Sequence, residues 1–165
     1  MKLSAAGMDL LKFSEGFRSR VYLDANQLPT IGYGHRLLHT ETFPNGIDEP
    51  HARDLLALDV CASEKAVERL VKVPLTQGQF DALVDFCFNL GAGRLAASSL
   101  LADLNAGKYD EAVRQLQLWD HAAGREIAAL KARRKTEAAL WRGSGALQSG
   151  ESRAIKRDSS QPVQL

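Results

Sequence analysis

Three side chains in one short run could act together. Glu15, Asp24 and Thr30 lie within SEGFRSRVYLDANQLPTIGYGH, residues 14–35. Met8, Leu11 and Glu15 follow one another at i, i+3 and i+7, so a carboxylate continues an apolar helical stripe. Glu15 also stands just before Gly16, where a helix would end and its macrodipole is negative. Burial and the dipole both favour the protonated form, and a carboxylic acid that keeps its proton can give it to a leaving group. Asp24 stands in a polar turn, where hydration favours the carboxylate. It could take a proton from water or stabilise positive charge, with the Thr30 hydroxyl helping to hold that water. Two carboxylates in opposed environments are the pattern for glycoside hydrolysis. Pairs of Glu and Asp are common, however, and a structural, salt-bridged Glu15 is the competing reading.

The elements that must position these groups follow from the pattern. A helix is expected over 4–15, with Ser4 as its cap. Residues 20–35 read as a hairpin: Val21 to Leu23 runs out, Asp24 to Pro29 turns, and Thr30 to His35 runs back. A single return strand would put Thr30, Gly32 and Gly34 on one nearly bare face, open to a ligand, with Ile31, Tyr33 and His35 on the other. Glycines serving a bulge or a tight bend are the alternative. His35 is expected to be structural, bonded near Glu15 or Asp24, and Tyr33 is expected in the core.

Asp48 and Pro50 then open a long helix, 49–72, about 35 Å in length at 1.5 Å per residue. Thr76 and Gln79 form a capping box ahead of the stripe Phe80, Leu83, Val84, Cys87, Phe88. Further helices are expected at about 97–105, 110–122 and 126–142, separated by glycines. The architecture is α+β: a small lobe with a hairpin or sheet (about 1–50), a connecting helix, and a mainly helical lobe (72–143) with a cleft between them. Residues 146–165 have little periodicity and read as a mobile tail beyond a catalytic domain of 1–145.

Composition narrows the class. Of 165 residues 45% are hydrophobic and 25% charged, which suits a soluble globular chain, and no apolar run suggests stable membrane insertion. The first residues lack the apolar core and cleavage site of a secretory signal, so synthesis and retention in a cytosol are expected. Cys61 and Cys87 are expected as reduced, partly buried thiols, and no cluster suggests a metal. The net charge is +1, yet Gly124 to Arg142 carries six basic residues against two acidic ones. A solvated helix face is the plain reading of that stretch, attraction to an anionic polymer the other, and Arg133 or Arg134 could bring a cation to Glu15. With one basic helix and no helix-turn-helix spacing, nucleic acid is not the expected partner. Trp119 and Trp141 are expected in the core.

The segment SEGFR…YLDANQLPTIGYGH resembles the active-site segment of the phage-type lysozymes, the endolysins of glycoside hydrolase family 24. That family's spacing of Glu, eight residues, Asp, five residues, Thr is met by Glu15, Asp24 and Thr30 without a gap. VPLTQGQFDALVDFCFNLG (73–91), SSLLADLNAGKYDEA (98–112) and LKARRKTEAALW (130–141) resemble its later segments, so the likeness runs over about residues 3–143. Ala129-Leu130 stands where the family often has Gly-Leu, and Leu95 where it often has an aromatic residue. The resemblance implies a lysozyme-like fold and a muramidase with no cofactor. The partner would be the glycan strand of peptidoglycan, with Ser98 and Ser99 lining the far side of the cleft. It also implies a monomer that waits in the host cytosol for a holin-like pore. A lytic transglycosylase, which needs the acid but no water-activating partner, and a non-catalytic wall-binding protein are the rival readings.

Overall fold

The computed structural model describes residues 1–24, 27–122 and 124–143; the tail expected from residue 146 lies outside them. Helix α1 (Ala5–Glu15) opens as its sequence demands. The Ser4 hydroxyl accepts the Gly7 N–H at 3.2 Å, and Gly16, at φ 72°, ends the helix directly after Glu15. Ser4 is itself tied to Asp81 by its backbone N–H at 3.0 Å and by its hydroxyl. A Cβ on Gly7 would come within 2.9 Å of the Asp81 side chain, so α1 lies close along the helix that carries Asp81.

The chain next forms a three-stranded antiparallel sheet in the order β1 (Arg18–Leu23), β2 (Pro29–Gly32), β3 (His35–Arg36). The single return strand expected to run through His35 is broken by a turn at Tyr33–Gly34, which Gly32 and Gly34 make with φ of 67° and 89°. Thr30, Gly32 and Gly34 therefore do not share a face. Gly32 is buried against helix α2 (Glu49–Leu70), where a Cβ would meet that of Ala52 at 3.1 Å. Its glycine serves close sheet–helix packing, and only Gly34 is exposed.

Asp48 caps α2 by accepting the His51 N–H at 3.0 Å, and the helix buries Ala52, Leu55, Leu56, Val60, Ala66 and Val67 on one stripe. The Thr76–Gln79 capping box is formed in both directions at the start of α3 (Gln77–Leu90). Every residue of α3 from Phe80 to Cys87 is buried, not only the expected stripe. The helix is enclosed by α1, α2, α4 (Ala92–Ala96) and α7 (Ala128–Trp141), so Asp81 and Asp85 are buried carboxylates. Helices α5 (Ser99–Asn105) and α6 (Tyr109–Gln117) complete the helical body.

Helix was expected as far as 122 and again from 126, but between them lies a short hairpin. Strands β4 (His121–Ala122) and β5 (Arg125–Glu126) pair around Gly124, whose φ of 76° allows the reversal. The Ile127 N–H closes the loop on the Asp120 carbonyl at 2.8 Å. Leu95 is wholly buried, so the residue that replaces the family's common aromatic belongs to the core; Trp141 is buried and Trp119 packs edge-on against Phe86. Cys61 and Cys87 are free thiols, and burial pushes that of Cys87 up.

Candidate active site

Glu15 sits where α1 ends and β1 begins. It is not on the buried stripe that its spacing predicts: its side chain is 26% exposed, and Oε1 accepts a hydrogen bond from Arg133 Nη1 at 2.8 Å. The competing structural reading was thus right that the group is ion-paired, and the partner comes from α7 as one basic residue was expected to. The other oxygen, Oε2, faces Gly34, where a Cβ would stand 3.8 Å away. A bare backbone on that side leaves room for a ligand atom to approach the carboxyl.

Asp24 corrects a second expectation. It is 4% exposed, so bulk water does not surround it. The turn wraps it: Oδ1 accepts the Leu28 N–H at 2.9 Å, its carbonyl accepts the Gln27 N–H at 2.9 Å, and Arg36 reaches Oδ2 at 3.3 Å. The two that reach the carboxylate, the Leu28 N–H and the Arg36 guanidinium, are donors, which suits an acceptor-only group.

The register explains why Thr30 joins it. Tyr22, Thr30 and Arg36 are directly opposite one another across the three strands and so share a face. Arg36, on that face, reaches Asp24 Oδ2 and brings Asp24 beside it. Thr30 is buried, and its O–H donates to the Leu28 carbonyl at 3.0 Å. That bond fixes the hydroxyl rotor and leaves the oxygen's lone pairs as acceptors. Tyr22 is half-exposed on this face. Its phenol is pushed up first by burial, with the guanidinium of Arg18, 4.6 Å from its ring, opposing; Glu15 and Asp24 both add to the rise. Sequence reasoning had passed over Tyr22 as strand filler.

Other predicted residues fall elsewhere. Ser98 is buried and spends its hydroxyl as the cap of α5, accepting the Leu101 N–H at 3.1 Å and donating to the Leu95 carbonyl at 2.7 Å. Ser99, the first residue of α5, is exposed. Of the basic stretch, Arg133 and Arg134 are buried among carboxylates and Lys131 pairs with Glu126 at 2.8 Å, so it is no continuous cationic face.

His35 does not face Glu15 or Asp24. The turn at 33–34 aims it elsewhere: Nδ1 lies 2.9 Å from Asp59 on α2, and Nε2 lies 2.9 Å from Glu41 in the segment that precedes that helix. Burial alone would push its pKa down, but hydrogen bonds to the two carboxylates outweigh this and raise it. The raised value means that its contribution to stability is complete below the ordinary 6.5 and fades as pH rises through the folded pKa. Thermal melts should therefore show a fall in Tm above about pH 6.5. His35→Gln should lower Tm at pH 5.5 by roughly 5 °C, as expected for the loss of about 2 kcal/mol, and flatten that fall. A mutant that keeps the wild-type slope would exclude His35 as its source.

Comparison with known proteins identifies the family. The phage lysozyme family model matches residues 12–137. The endolysin of Bacillus phage B103 is 38% identical over 98% of this chain, and the chain spans 60% of that relative's length. The endolysin of Salmonella phage P22 is 37% identical over 86% of this chain and 98% of its own. Among solved structures, the muramidase domain of SpmX from Asticaccaulis excentricus superposes with a TM-score of 0.77 at 35% identity, covering 85% of this chain and 97% of that one. The α+β architecture read from the sequence is the one these lysozyme-like structures share, and the chain belongs to the phage lysozyme family.

Proposed function

We propose that this chain is an endolysin-type muramidase. It hydrolyses the β-1,4 bond between N-acetylmuramic acid and N-acetylglucosamine in peptidoglycan, with inversion and without a cofactor. The observation that carries this reading is that Glu15, at the end of α1, faces Gly34 in the turn between β2 and β3, while Thr30 and Asp24 stand on the same sheet with Arg36 beside both. Glu15 is the acid. It approaches the glycosidic oxygen past Gly34 and protonates it as the bond breaks through an oxocarbenium-like transition state. A water between Asp24 and Thr30 donates one hydrogen to the carboxylate and one to Oγ1, which turns its lone pair toward the anomeric carbon. As that water attacks, its proton passes to Asp24.

The catalytic domain is residues 1–145. Its cleft lies between the sheet and the helical body, with α2 as the link, and α1 stands on the body's side because it packs on α3 and α7. Of the four residues first considered for substrate contact, Gly34 and Ser99 have the exposure the role needs. No described helix is long and apolar enough to cross a membrane. The enzyme acts as a monomer, made in the host cytosol and admitted to the wall by a holin-like partner.

The test is lysis of permeabilised Gram-negative cells followed by mass spectrometry of the fragments. Hydrolysis gives reducing ends one water heavier than the 1,6-anhydro ends that a lytic transglycosylase leaves. Anhydro ends would replace this reading with the transglycosylase one, and intact glycan would leave a wall-binding protein.

A further inference from the structure

Behind Glu15 lies a buried charged network that the sequence did not disclose. Arg133, 7% exposed, is held from behind by Asp85, which is wholly buried. Nε and Nη2 donate to the two Asp85 oxygens at 2.7 and 3.0 Å, and Nη1 is the group that reaches Glu15. We propose that Asp85 is a positioning residue for the acid: through Arg133 it fixes where the Glu15 carboxyl stands and limits how much positive charge that carboxyl meets. The proposal rests on Glu15 being the acid.

Two consequences of the geometry lead there. A bidentate fork sets the plane of the guanidinium, so the direction of its remaining edge, and with it the place of Glu15 Oε1, is determined. A bare guanidinium 2.8 Å from Glu15 would stabilise the carboxylate and spoil it as an acid. With Asp85 on its other edge, Arg133 is locally neutralised, and Glu15 receives one directional hydrogen bond without the field of a full uncompensated cation.

The other groups around Glu15 fit this balance. On α7, Arg134 and Glu137 form a pair 2.9 Å apart, both buried, with Arg134 bonded to Asn89 and lying over the Phe86 ring at 5.1 Å. Burial pushes the Glu137 carboxyl well up, with Arg134 opposing, and Asp85 raises it further. Were all five groups ionised, Glu15, Asp85 and Glu137 would outnumber Arg133 and Arg134 by one negative charge. Asp85 is the carboxylate bonded to two nitrogens of Arg133, so it is Asp85 that keeps Arg133 from acting as a free cation on Glu15.

The test reads the alkaline limb of the pH profile of kcat on a soluble muramic acid–glucosamine oligosaccharide, together with the 13C shift of the Glu15 side-chain carboxyl against pH. Asp85→Asn keeps the shape but removes the carboxylate to which Arg133 is bonded. Both readouts should move acidward by about one pH unit, with KM within about twofold of wild type. Asp85→Asn/Arg133→Gln removes both charges, and the limb should return to the wild-type position or pass beyond it. If Asp85→Asn does not fold, the double variant, which buries no extra charge, carries the test alone. Unmoved readouts in Asp85→Asn, or an acidward shift in the double variant, would overturn the proposal. The reading of Glu15 fails separately: an active, folded Glu15→Gln would show that the acid lies elsewhere, whatever the Asp85 variants do.

Discussion

Glu15→Gln is expected to reduce lysis of permeabilised cells by more than about 1000-fold while leaving the far-UV circular dichroism unchanged. Glutamine keeps an oxygen that can accept from Arg133 Nη1, so the end of α1 stays where it is. What it lacks is a proton acidic enough to assist departure of the glycosidic oxygen. Arg133 is not orphaned by the change, because Asp85 still holds two of its nitrogens. The apolar stripe in the sequence would have predicted a gain in stability from neutralising Glu15. The ion pair removes most of that gain, and Tm should stay within about 3 °C of wild type. A folded mutant with activity within tenfold of wild type would remove Glu15 as the acid.

Thr30→Val is the second large effect. Valine is nearly the same shape and suits a strand, but it removes the oxygen to which the attacking water donates. It also leaves the Leu28 carbonyl without its 3.0 Å side-chain donor. Activity should fall about 100-fold, with substrate binding to a Glu15→Gln/Thr30→Val variant within a few-fold of that to Glu15→Gln alone. Thr30→Ser, which keeps the hydroxyl, should recover most of the rate. A valine variant that hydrolyses at the wild-type rate would free Thr30 of any part in placing the water, and a serine variant as inactive as valine would assign the loss to packing.

Much of this was legible in the sequence because it is local. The caps Ser4, Asp48 and Thr76 with Gln79 act over three residues, and each is formed as its sequence predicts. The spacing of Glu15, Asp24 and Thr30 is local too, and it was enough to bring the three into consideration together. What could not be read depends on distant packing. Arg133 is 118 residues from Glu15, and a helical stripe through Phe80, Leu83, Val84 and Cys87 assigns Asp85 to the outer face. Only the enclosure of α3 by four other helices turns that outer face inward. The two-residue strands of β4 and β5 are too short to show a period of two, so helix on either side was extended through them. His35 was misplaced for a related reason: alternation holds along a strand, and the turn at Tyr33–Gly34 resets it.

The measurement closest to the central claim is the anomeric configuration of the first product, followed by early-time NMR before mutarotation. If water attacks from a site between Asp24 and Thr30 while Glu15 protonates the opposite side, the two carboxyl groups must leave room for that water. Inverting enzymes separate them by about 6.5–9.5 Å, against about 5–5.5 Å in retaining ones. Glu15, at a helix end, faces Gly34, and Asp24 is folded into the hairpin turn of another element. The new reducing end should therefore appear first as the α anomer. A β anomer at the earliest times would contradict inversion and make Asp24 a nucleophile rather than the partner of a water.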